Sequence, residues 1–538
     1  MGSCATREAT SPSEGMQSPS ATGALSVHYL STTFLEEVSD AGVGGGTVRD
    51  VIEPVIKAKG RDVWCKQHQM VGSSYVDAVE GPDNVGPATH MISYTWNYKV
   101  EVIVETLRAH CASAGCDPKR TYTWLCCVCV NQWYVAASTS SGGDCVSFRD
   151  LSHIFENQII SIGRVLALVA PWRSPENLKR IWCIFEIHKA IALKERGVQL
   201  EIVMPPSEKA DLMREICEPE SRDLTKIWEA LLHVDVAKAE AWSNVDKERI
   251  LAQCESFGLN RLNAQVRAHL RDWCCKESMY SLQTLEPSIE SVVAHQRVGY
   301  MLSLFHRLDD AVTVLTAGIA ISDAVALTPE QRSPGSIRMA KETAGMWHEL
   351  GWARHRLGDY ALAQDACQSG LALVDEQLRT SLSSDDVRSL SMEKACLLRA
   401  FARAIVGDDP FIQPPPDRMD EALEKYEHAR DIFREFDAGS IELGKIHNNL
   451  GLSYVITGDF DSARRELDAA ERIYEAKGIL RHPPNMVRLY NLGCMHMKRG
   501  DVEAAAFKLS EAHEIAQTFN NAMQTVIEDA QKRLPLLP

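Results

Sequence analysis

Asn449-Leu450-Gly451-Leu452-Ser453-Tyr454 leads to Gly458-Asp459-Phe460 and then to Ala463 and Ala470. The same offsets recur. Asn491-Leu492-Gly493 leads to Gly500-Asp501-Val502, Ala505 and Ala512; Trp347-x-x-Leu350-Gly351 leads to Gly358-Asp359-Tyr360 and Ala363. Small residues at the glycine and alanine positions let two antiparallel helices approach closely, and the large residues between them fill the gap. Gly-Asp ends the first helix and turns the chain into the second. Two weaker copies follow the same logic. One reads from Leu398 to Gly407-Asp408 and resumes at Ala422, Tyr426 and Ala429 after the insertion Pro414-Pro415-Pro416; the other runs from Val298-Gly299 through Ala311 to Leu315.

The pattern resembles the tetratricopeptide repeat (TPR), whose period is about 34 residues. The resemblance implies a solenoid of roughly five repeats over 286–538, with a concave face for a protein or peptide ligand. The identity of that ligand is not written in the repeats.

The N-terminal half has a different rhythm. Apolar, β-rich runs at Val85–Tyr94, Thr121–Val130 (uncharged throughout), Arg164–Ala170, Gln199–Met204 and Leu231–Val236 predict strands, with helices between them, at Val100–Ala109 and Asn177–Glu195 above all. Apolar strands alternating with helices predict a parallel sheet covered on both faces, with function at the carboxyl ends of its strands. The segment 237–276, with Trp242, Trp273, Cys274 and Cys275, is expected to close this domain over 49–276.

Composition sets outer limits. The chain has 538 residues, 45% of them hydrophobic, and 57 Lys plus Arg against 73 Asp plus Glu, so 57 − 73 gives −16. An acidic surface argues against broad nucleic-acid binding. No apolar run reaches the roughly 18 residues of a membrane span, and no basic stretch with an apolar h-region opens the chain. A cytoplasmic protein with its 16 cysteines as thiols is expected. Residues 1–48, rich in Ser, Thr, Gly and Ala, read as a flexible leader. Its start, Met1-Gly2-Ser3-Cys4-Ala5-Thr6, fits the pattern for myristoylation of Gly2, with Cys4 as a palmitoylation site. An accidental match in a disordered tail stands beside that reading. Acylation would place the chain at the inner face of a membrane.

Three motifs fall at the predicted strand ends: Ile92-Ser93-Tyr94-Thr95-Trp96; Trp124 to Asn131-Gln132; and Ala170-Pro171-Trp172, followed by Trp182-Cys183-Ile184-Phe185-Glu186-Ile187. The W-C-x-x-E-[IL] helix is similar to the third helix of Toll/interleukin-1 receptor (TIR) domains, and W-x-x-x-x-C-x-N-Q and S-Y-T-W resemble motifs of the TIR-like fungal heterokaryon-incompatibility domains. Over about 90–205 the resemblance implies a flavodoxin-like sheet of the TIR type, self-association, and cleavage of the nicotinamide–ribose bond of NAD with Glu186 as the catalytic carboxylate. NAD would then be a substrate; no cofactor is implied. Ser93, Tyr94, Trp96, Asn131, Gln132, Trp172 and Trp182 are the matching substrate-pocket candidates. One departure stands out: where the incompatibility domains carry an aspartate after W-I, this chain has Cys126.

The chemistry suits a lone carboxylate. Nicotinamide leaves as a neutral group and positive charge builds on the sugar, where a carboxylate stabilises it. From helical position alone, Glu186 reads first as a surface glutamate, paired with Lys189 or Ala-flanked in solvent; the family resemblance brings the catalytic reading level with it. Ile181, Ile184, Phe185, His188, Ile191 and Ala192 form the expected core stripe of a helix that Ser174 would cap. Trp124 and Trp182 read first as packing residues, and His188 as a core-edge histidine. Cys126-x-x-Cys129 has metal spacing, but a strand would turn the two thiols to opposite faces, and no second pair completes a zinc set. No phosphate-cradling loop or nucleophile elbow occurs. Two functions therefore stand side by side: a TIR-type NAD hydrolase regulated through the repeats, and a non-catalytic adaptor of the kinesin-light-chain kind.

Overall fold

The computed structural model describes residues 23–140, 148–217, 234–241, 244–255, 258–325, 332–380, 382–519 and 523–534. Gly2, Cys4, Trp242 and 231–233 lie outside these residues. The chain divides into two units. One holds the described residues up to Glu215 and those of Asp223–Cys274; the other holds Ile216, Cys217 and the described residues from Cys275 onward.

The first unit is built on a mixed sheet of β1 (Gly23–Ser26), β2 (Val85–Pro87), β3 (His90–Ser93), β4 (Tyr122–Trp124), β5 (Arg164–Leu168) and β6 (Gln199–Val203). The spatial order is β2-β1-β4-β3-β5-β6. β4, β3, β5 and β6 are parallel, and β1 runs antiparallel to both β2 and β4. Side chains alternate across the sheet. Ile92, Leu166 and Leu168 enter a core with Ile103 and Leu107 of α1 (Val100–Ala114). Met91 and Val165 enter a second core with Ile159 of α3 (Phe148–Ile162) and Ala190 of α4 (Ile181–Ala192). The helix between α1 and α3 is α2 (Gln132–Ser140); α5 (Pro206–Cys217), α6 (Asn244–Glu255) and α7 (Leu259–Leu282) follow α4.

Several expectations are corrected. The part of the expected leader from Gly23 onward is structured. Val27, Leu30, Phe34 and Val38 are buried along one face of the helical segment 27–40, each worth about 1.5–3 kcal/mol, and β1 joins the sheet. The Ser/Thr-rich composition hid that apolar spacing. Val85–Tyr94 is two strands rather than one, β2 and β3, and β2 joins the sheet's edge through β1, the one strand that runs against the rest. The strand expected over Thr121–Val130 stops at Trp124, and Cys126–Cys129 form a helical turn. The opposite-face argument against a Cys126–Cys129 pair thus fails; among the described residues, no cluster of three or more His, Cys, Asp or Glu is placed to hold a metal ion. Val236, expected in a strand, begins a short helical turn, Val236–Lys238.

α4 starts at Ile181 with Arg180 at its N-cap, not near Ser174, because the chain before it is tied elsewhere. The Ile181 amide donates to Glu240 O at 2.9 Å, and the Glu240 amide donates to Lys179 O at 2.7 Å. The predicted core stripe is also corrected. Ala192 is exposed and Ile191 half-buried, whereas Cys183, Glu186 and Ile187 are buried. A one-faced pattern assumes one covered side, but α4 contacts the sheet, α3 and α6.

The second unit consists of helical hairpins: α8 (Ile289–Leu304) with α9 (Leu308–Ala324), α10 (Arg332–Arg356) with α11 (Tyr360–Leu378), α12 (Ser384–Val406) with α13 (Pro416–Phe436), α14 (Ile441–Thr457) with α15 (Phe460–Ala476), and α16 (Pro483–Lys498) with α17 (Val502–Phe519). Helix α18 (Met523–Arg533) packs on α17. All five sequence copies fall on these hairpins. Gly458 takes φ +85 at the end of α14, and Asp459 accepts the Ser462 amide at 3.1 Å to open α15. A Cβ on Gly351 would meet Cys367 Sγ at 2.5 Å, and one on Gly451 or Gly493 would meet Leu467 or Leu509 at 2.7 Å. These close approaches are why the glycines recur.

Candidate functional site

At the carboxyl ends of β3 and β4, four of the sequence candidates converge around the residue that marked the departure. Trp96 Nε1 donates to Cys126 Sγ at 3.4 Å, and the Tyr94 hydroxyl lies 3.3 Å from the same sulfur. The Tyr94 hydroxyl also accepts the Cys127 amide at 3.2 Å, and the Cys183 thiol donates to Tyr94 O at 3.3 Å. Glu186 approaches from α4, close enough to interact electrostatically with Cys126 and Cys183.

Glu186 is 6% exposed. Its Oε2 and the Ser93 Oγ are buried without a hydrogen bond of ordinary geometry. Burial pushes the carboxyl up to about 8, and the nearby Ser93 hydroxyl offsets only part of that. The group is therefore mostly neutral at pH 7. The surface alternative is overturned as well: Lys189 pairs with Glu156 at 2.9 Å, not with Glu186. Burial raises the Cys126 thiol to about 11, against the pull of Trp96 and Tyr94. This is a neutral cluster of hydrogen-bonding groups in which Glu186, Ser93 and Tyr94 are buried and Trp96 and Cys126 half-buried.

The remaining candidates serve the frame. Asn131 Oδ1 accepts the Trp133 and Tyr134 amides at 2.9 and 3.1 Å, opening α2, and its Nδ2 donates to Gly72 O at 2.8 Å. Gln132 Nε2 donates to Cys126 O at 3.4 Å and Val130 O at 3.1 Å, which holds the cysteine turn. Trp172 Nε1 donates to Asp211 at 2.8 Å and fixes α5. Trp182 lies among aromatics, its ring 5.4 Å from Phe155. His188 is buried, and burial lowers its pKa.

In the second unit the first helices of successive hairpins contact one another, while the second helices have no comparable contact. The first helices therefore line the inner, concave face. On that face Arg399, 7% exposed, pairs with Glu442 at 3.1 Å and lies 5.9 Å from the Trp352 ring. Glu442 is held at about 2, Lys445 and Arg399 outweighing its burial. Glu342 and Glu393 are raised by burial. Asn491 Nδ2 donates to Asn448 Oδ1 at 2.9 Å, tying α16 to α14. None of these groups was singled out from sequence, because their spacing within one helix does not reveal partners on the next.

The second unit is thus a helical-repeat solenoid. Comparison gives its kind: the tetratricopeptide repeat family model matches residues 417–476, which take in α13–α15, and the C-terminal region is a TPR domain. Repeats of this family bind protein partners. No curated protein matches the chain. Among solved structures, BtubC (BKLC) from P. vanneervenii is 17% identical and aligns over 43% of this chain and 84% of its own, with a TM-score of 0.31. A Signal Transduction ATPase with Numerous Domains (STAND) protein with a tetratricopeptide repeat sensor from Pyrococcus horikoshii is 11% identical over 72% of this chain and 74% of its own, with a TM-score of 0.30. Among the described residues no helix is long and apolar enough to cross a membrane.

Proposed function

We propose that the protein is a non-catalytic adaptor: the TPR solenoid recruits a protein or peptide at its concave face, and a TIR-like α/β domain assembles with its own kind. Support for the TIR-like reading comes from the strand-end motifs and from the parallel strands, which taken in chain order lie 2-1-3-4, as in flavodoxin-like sheets. The observation that carries the adaptor reading is the closure of Glu186. Stabilising an oxocarbenium-like sugar needs an ionised carboxylate facing the ribose; this one is 6% exposed and raised to about 8.

The test is nicotinamide release from NAD by the purified full chain, free and after forced clustering. The adaptor reading expects no release above that of Glu186→Ala in either state. Release that Glu186→Ala abolishes would establish the second reading, a TIR-type NAD hydrolase, which the convergence of Ser93, Tyr94, Trp96 and Glu186 favours. Acylation at Gly2 and Cys4 belongs to the same proposal as a means of membrane recruitment, and is tested by loss of membrane fractionation in Gly2→Ala.

A further inference from the structure

A cleft of about 580 Å³ lies where the end of α13, the α13–α14 turn, α14 and α15 meet. Leu443 and His447 of α14 form its floor, with Ala469, Ile473 and Ala476 of α15 and Ala438 and Gly439 of the connecting turn around it. Arg434, Arg472 and Lys477 stand at its rim, all exposed. Arg434 reaches Asp431 only at a loose 3.8 Å. The residues that line the cleft include no acid, and Glu466, which pairs with the lining His447 at 2.5 Å, is also engaged by Arg430 at 3.6 Å. The rim is therefore locally cationic over an apolar floor, in a chain whose net charge is −16.

We infer that this cleft is a second docking surface, and that its occupant is an acidic segment of a partner protein carrying an apolar anchor residue. The charge pattern selects that occupant. Acidic side chains meet Arg434, Arg472 and Lys477 at the rim, while an aliphatic side chain covers Leu443 and Ile473 between them. A neutral apolar peptide would leave the cations uncompensated, and a basic one would be repelled. Its rim cations stand on α13 and at the end of α15, both second helices, so the surface is distinct from the inner-face pair Arg399–Glu442 and from any chemistry in the first unit.

The experiment uses the full chain and a fluorescent synthetic peptide of leucines and glutamates, alongside the same peptide with glutamine for glutamate. The acidic peptide is expected to bind, with an affinity that falls as salt rises, and the glutamine peptide to bind at least about tenfold more weakly. Arg434→Glu combined with Arg472→Glu should weaken the acidic peptide by about tenfold or more. Arg499→Glu, an exposed cation beyond α16, should leave binding unchanged. Circular dichroism checks that the double variant keeps its helices; a third variant, Lys477→Glu, repeats the test if it does not. Equal binding to wild type and double variant places the peptide elsewhere and overturns the inference. So does equal binding of the glutamine peptide, or full competition by polyphosphate at matched charge, which would mark an undiscriminating anion surface.

Discussion

The indole N–H of Trp96 donates to the Cys126 sulfur at 3.4 Å, in the place where the resemblance calls for an aspartate. A thiol there offers no permanent charge, and burial raises it to about 11. Alkylation of Cys126 by iodoacetamide, read by peptide mass spectrometry, should be slow at pH 7.5 and rise steadily toward pH 10, because the thiolate is the reactive form. Fast labelling at neutral pH would show an ionised thiol and a more open site.

Glu186 makes stability depend on pH with a definite sign. Its folded pKa, about 8, exceeds the ordinary 4.5, so between those values the folded state holds the proton more tightly and stability falls as pH rises. At pH 7 the interval above 4.5 corresponds to a cost on the order of 3 kcal/mol, at 1.36 kcal/mol per pKa unit. Glu186→Gln should therefore match wild type near pH 4.5 and exceed it increasingly toward pH 8 in thermal melts. A difference that does not change with pH would contradict the burial.

Gly451 faces Leu467 too closely for a Cβ, which would sit 2.7 Å from the leucine. Gly451→Ala gains about 1 kcal/mol of helix propensity and meets an overpacking cost of about 1–3 kcal/mol. A net loss of roughly 1 kcal/mol is expected, and Leu467→Ala in the same chain should cost less than the sum of the two single changes. A stabilising Gly451→Ala would refute the close approach.

Two phenols test the packing of the repeats. The hydroxyls of Tyr426 and Tyr474 are buried without a hydrogen-bond partner. Tyr426→Phe and Tyr474→Phe remove a desolvated polar group, so each should be neutral or stabilising in urea titrations. A loss above about 1 kcal/mol would reveal a bond at that oxygen.

The solenoid was the more legible half because its signal is steric. Gly351, Gly451 and Gly493 must be small wherever a helix crosses, and Gly-Asp must turn the chain, so the copies align even through the Pro414–Pro416 insertion. The sheet was less legible. β1 lies in a Ser/Thr-rich stretch whose buried positions follow helix and strand spacing in turn, and the Cys126 turn carries the same apolar residues as a strand. Ser93, Tyr94, Trp96 and Glu186 were found because strand ends gather side chains. Asn131, Trp172 and Trp182 share that region but are engaged by Gly72, Asp211 and Phe155, and sequence does not distinguish a residue that faces the cluster from one that braces it. The inner-face pair Arg399–Glu442 joins two hairpins and has no local signature.

The account rests on Glu186 being enclosed and uncharged near neutral pH. Its most direct test is the titration of the Glu186 side-chain carbon by NMR in selectively labelled full chain, assigned through Glu186→Gln. The account predicts a midpoint near 8. A midpoint near the ordinary 4.5 would mean a solvated, ionised carboxylate, and would contradict the account.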